Sequence, residues 1–119
     1  MTLKECYEAI GGNYEEVVGR LRSERLIQKF TLKFLDDKSL ELLKRSLREE
    51  NYEEAFRAAH TIKGICQNLS FDRLLASDSA LTEALRDGKS PEADSLAAQV
   101  FADYEATVSA IRTFQASLG

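Results

Sequence analysis

Apolar positions along this chain recur at the three- and four-residue spacing of amphipathic helices and nowhere alternate in the two-residue rhythm of a strand. The first such stretch covers about residues 3–10, opened by Thr2 and Glu5 at capping-box spacing and closed by Gly11–Gly12. Asn13 with Glu16 opens a second short helix that runs to about Arg20. A longer helix is expected from about Arg22 to Leu35, with Leu26, Ile27, Phe30 and Phe34 as its apolar stripe. Asp36–Asp37 interrupts the pattern and caps a helix over about 39–49, whose stripe is Leu40, Leu43 and Leu47.

The second half repeats this grammar. Asn51 and Glu54 form another capping pair, and the helix they open runs to about Leu69. Ser70 is read as the N-cap of a helix from Phe71 to about Arg86, which Asp87–Gly88 terminates. Ser90–Pro91–Glu92 reads as cap, first-position proline and first-turn acid for a last helix ending near Ala116. The expected fold class is therefore all-α: an antiparallel four-helix bundle with short additional N-terminal helices, forming one domain over residues 1–119. Phe30, Phe34, Phe56, Phe101 and Phe114 are assigned to its core.

Composition changes this picture little and narrows the function. With 119 residues, 44% apolar and 30% charged, the chain can bury one modest core. A net charge of -4 argues against nucleic acid as a partner, because phosphate backbones call for basic patches. Cys6 and Cys66 have neither metal-ligand spacing nor the number a disulfide framework needs. No secretory leader and no membrane-length apolar run are present, so a reduced, cytoplasmic setting is expected. Met1 with the cap at Thr2 reads as the start of a free-standing protein, and a monomer is the default expectation.

The chemistry concentrates in Ala59-His60-Thr61-Ile62-Lys63-Gly64, which holds the chain's only histidine. At about 100° per residue, Ala55, Phe56, Ala59, Ile62, Cys66 and Leu69 mark the core side, and His60 falls roughly 110° from its centre. Lys63 lies between the two directions, while Gly64 and Gln67 share the side of His60. A mid-helix glycine costs about 1 kcal/mol relative to alanine, and off the core face its use is room for something approaching from outside. If the chain reverses at Ser70, Asp78 comes level with Lys63 and Thr82 with His60. Asp78 interrupts the stripe of Leu74, Leu81 and Leu85, so it needs a partner, and Lys63 is the nearest candidate.

This stretch, continued by Cys66, Asn68–Leu69 and a helix ending Leu85-Arg86-Asp87-Gly88, resembles the histidine-containing phosphotransfer (HPt) domain of bacterial two-component phosphorelays. The resemblance spans nearly the whole chain. It implies that His60 carries a phosphoryl group, that Lys63 balances its charge and that Gly64 lets a receiver domain come close. Partners would be response-regulator receiver domains or a hybrid sensor histidine kinase, with no membrane and no nucleic acid involved. The chain has no phosphate-binding glycine loop or kinase signature, so it would be a carrier and not an enzyme using a nucleotide. It would need no cofactor of its own, Mg²⁺ coming with the receiver.

Two positions depart from the family pattern. Members often have glycine where Ser70 stands, and some orient the imidazole with a glutamine where Thr82 stands. Thr82, Ser79 or water could take that role here.

Two other readings compete. A metal-binding bundle would use Glu-x-x-His, but Arg57 occupies the position three before His60. The second is a module that docks to a receiver or kinase without accepting phosphate.

Overall fold

The computed structural model describes residues 1–119 and is helical throughout, with no strand. Seven α-helices follow in order: α1 (Leu3–Ile10), α2 (Tyr14–Leu21), α3 (Glu24–Lys33), α4 (Ser39–Arg48), α5 (Tyr52–Leu69), α6 (Asp72–Leu85) and α7 (Ala93–Ser117). A single 3-10 turn, Phe34–Asp36, links α3 to α4.

Local side chains set most of the boundaries. The Thr2 hydroxyl accepts the Glu5 N–H at 3.1 Å, and the Glu5 carboxylate accepts the Thr2 N–H at 2.8 Å, which completes the capping box of α1. Gly11 closes α1 in the left-handed region, φ 78°. Asn13 and Asn51 cap α2 and α5 by accepting the N–H groups of Glu16 and Glu54. Neither acid returns a bond to its cap. Glu16 turns instead to Arg20 and Ser70, and Glu54 to Arg57.

Three expected boundaries are corrected. Arg22 adopts φ 54° and ends α2, so α3 starts only at Glu24, capped by Ser23. Leu26, expected in the apolar stripe of this helix, faces outward and is 41% exposed. Ser70 does not cap α6 but closes α5, at φ 57°. A left-handed L-residue costs roughly 1–2 kcal/mol, and here the Ser70 hydroxyl offsets it by donating to Glu16 at 2.6 Å and accepting from Arg20 at 3.0 Å. Pro91 and Glu92 form a turn ahead of α7, which begins at Ala93.

The helices form a bundle in which α5 packs on α4 and on α6, α6 on α7, and α7 also on α1. One contiguous cluster of 27 buried apolar residues runs from Leu3 to Phe114, so the N-terminal helices share the core of the rest. An aromatic chain crosses it: Tyr7 to Phe71 at 5.6 Å, Phe71 to Phe34 at 5.4 Å and Phe34 to Tyr104 at 4.9 Å between ring centres. Phe34 and Phe114 are buried as expected, whereas Phe30, Phe56 and Phe101 only lean on the core. Several bonds pin the first two helices to the α5–α6 turn. Tyr7 donates to the Leu69 carbonyl at 2.8 Å, the Asn13 N–H to Ser70 at 2.9 Å, and Arg20 to Asn68 at 2.7 Å.

Candidate functional site

The histidine stands near the middle of the 18-residue helix α5. Its buried side is Ala55, Ala58, Ala59, Ile62, Cys66 and Leu69, and the gain from removing this apolar surface from water fixes which way the helix rolls. His60 is therefore exposed, as are Thr61, Gly64 and Gln67, while Lys63 is half-buried. A Cβ built on Gly64 would meet nothing within 4 Å. Internal packing does not call for a glycine there, and the surface beside the imidazole is open.

Phe56, one turn before His60, stacks on it: the rings are 5.9 Å apart between centres and inclined by 14°. Arg86, just past the end of α6, sits with its guanidinium 5.2 Å from the Phe56 ring centre. Glu83 holds that guanidinium in a two-pronged bond at 2.7 and 3.1 Å. Pattern reading missed this column because Phe56 was assigned to the core. The available signals were the four-residue spacing of Phe56 and His60 and the three-residue spacing of Glu83 and Arg86.

On the other side of the α5–α6 seam lies Asp78, fully buried. Its Oδ1 has no hydrogen-bond partner. Burial pushes its pKa up to about 7, although Thr82 and the nearby Lys63 charge pull the other way. Lys63 forms no ion pair, so the expected Lys63–Asp78 bridge is corrected to a longer-range interaction. The Lys63 charge also reaches Glu83, so its ammonium acts on two acids of α6. Thr82 is buried, and its hydroxyl donates to the Asp78 carbonyl at 2.8 Å, with a long 3.5 Å contact to Oδ2. It does not reach the imidazole. An i−4 carbonyl is a closer acceptor for a helical threonine than a ring on the next helix.

No cluster of three or more His, Cys, Asp or Glu side chains comes together as a metal site. Cys6 and Cys66 are free and buried, and burial raises the pKa of both thiols. No helix is long and apolar enough to cross a membrane.

Set against known proteins, residues 33–113 match the family model of the Hpt domain. No curated protein and no solved structure matches the chain.

Proposed function

Because the chain belongs to the Hpt domain family, we propose that it is a phosphorelay carrier in which His60 takes a phosphoryl group from one receiver aspartate, or from a hybrid kinase, and passes it to another. The observation that carries this reading is the exposed imidazole of the sole histidine, with open space over Gly64 and an unpaired lysine one turn on. On this reading α4 to α7 are the antiparallel four-helix bundle of the family, and α1 to α3 are additions to it.

The chemistry asks little covalent work of the protein. The unprotonated imidazole nitrogen attacks the phosphorus of a receiver's aspartyl phosphate. As the N–P bond forms, the O–P bond breaks and the aspartate leaves as a carboxylate. The Lys63 ammonium meets the charge that arrives and forms a charge-assisted hydrogen bond to a phosphoryl oxygen. Gly64 lets the receiver approach in line. The acceptor aspartate and a divalent cation belong to the receiver, and the exchange is assigned to the cytoplasm.

The test is labelling by phosphorylated receivers from the source organism. Wild-type protein acquires acid-labile phosphate, and His60→Gln acquires none while keeping its helical circular dichroism. Label retained in His60→Gln would overturn the proposal.

A further inference from the structure

The His60 ring lacks the restraint that a hydrogen bond would supply. Thr82 on α6 spends its hydroxyl on Asp78, and Thr61 donates to the Arg57 carbonyl at 3.0 Å. What does touch the ring is Phe56. A near-parallel pair at 5.9 Å is an offset stack, a favoured aromatic arrangement.

The Phe56 ring is itself held from two sides. It packs partly against the core cluster, and the Arg86 guanidinium lies over it. Glu83 fixes that guanidinium with two bonds, so the support comes from α6 while the histidine belongs to α5. The column Glu83–Arg86–Phe56–His60 thus spans the seam between two helices.

We propose that Phe56 is the positioning residue of the His60 imidazole, holding the ring by its face, with Arg86 as the brace of Phe56. Restraint by a face has a chemical advantage over restraint by a hydrogen bond. A donor placed on a ring nitrogen competes for the lone pair that must attack phosphorus. A stacked wall limits the tilt of the ring and leaves both nitrogens free, one for phosphorus and one for its proton. It also remains in place after the phosphoryl group arrives. Fewer idle orientations of the nucleophile mean a larger fraction of near-attack geometries.

The kinetic part of this inference rests on the carrier reading; the spectroscopic part does not. Since the chain has one histidine, its imidazole CH resonances are unambiguous in a ¹H–¹³C spectrum. Wild type and Phe56→Tyr should show them displaced by ring current, and Phe56→Leu should return them towards free-histidine positions. Arg86→Gln, which leaves the core untouched, should give an intermediate shift.

Phosphoramidate supplies a partner-free phosphorylation assay: its P–N bond breaks, ammonia leaves, and a P–N bond to the imidazole forms. Phe56→Leu should slow that reaction roughly two- to tenfold, the range an aromatic pair supports, and Phe56→Tyr should track wild type. Unmoved ring resonances in Phe56→Leu, whatever its rate, overturn the positioning role, and an Arg86→Gln spectrum identical to wild type removes the brace. A wild-type protein that takes no phosphoryl group from phosphoramidate or any receiver sinks the carrier reading, while the spectrum still decides the stack.

Discussion

Asp78 is the least comfortable side chain in this protein. A fully buried carboxyl with one oxygen unpartnered holds its proton up to about pH 7, well above the ordinary aspartate value of 3.8. The unfolded chain releases that proton more readily, so the folded state binds more protons between those two values. Stability conferred by protonated Asp78 is therefore full below pH 3.8 and is lost as pH rises through about 7. The groups that face it are Lys63 and Cys66 from α5 and Thr82 from its own helix. Asp78→Asn should flatten this slope, and urea unfolding at pH 5 and pH 8 should show the gain over wild type at pH 8. An unchanged slope would mean that the carboxyl finds a partner in solution. At this scale the sequence was informative where chemistry and helical angle coincide. His60, Lys63 and Gly64 were placed by angle alone on the sides where they are found. Phe56 packs on the core only in part because its direction lies between the core and the histidine, and angle does not say that it serves both. Register sets Thr82 beside His60 on paper, but it carries no information about an acceptor on the same helix, and that is where the hydroxyl goes.

Among the elements, the helices whose ends are marked by chemistry were legible, and those whose ends depend on backbone strain were not. The Thr2–Glu5 box and Gly11 delimit α1, and Asn51 delimits the start of α5. Arg22 and Ser70 both turn left-handed without being glycine, and nothing in their side-chain chemistry announces it. Tertiary bonds stabilise Ser70 in that state, and such bonds are invisible to a pattern read along the chain. The two contributions can be separated by substitution. Ser70→Ala keeps the strained backbone and loses the hydroxyl bonds to Glu16 and Arg20, an expected loss of about 1–2 kcal/mol. Ser70→Gly loses the same bonds but relieves the strain, so it should unfold at higher urea than Ser70→Ala. The reverse order in a urea titration would show that the left-handed backbone is not strained at this turn, and wild type unfolding together with Ser70→Ala would show that the hydroxyl contributes nothing.

For the whole molecule, the all-helical class followed from apolar periodicity and short connections, because helices this amphipathic must cover one another. How α1 to α3 join the bundle did not follow, since periodicity gives each helix a buried face without naming what buries it. The match to the Hpt domain begins at residue 33, yet the shared core begins at Leu3. Leu3, Cys6, Tyr7, Ile10, Val17 and Ile27 all lie ahead of the matched region and are all buried. A fragment cut to residues 33–119 would uncover the side of Phe71 that Tyr7 covers and the part of α7 on which α1 packs. Its thermal melt, followed by circular dichroism, should lose the cooperative transition of the full chain; a sharp transition at the full-length temperature would count against this. The seam that carries the histidine ends at a turn gripped by the first two helices. Whoever trims this protein to the stretch that similarity recognises would keep every reactive atom and discard the masonry beneath them.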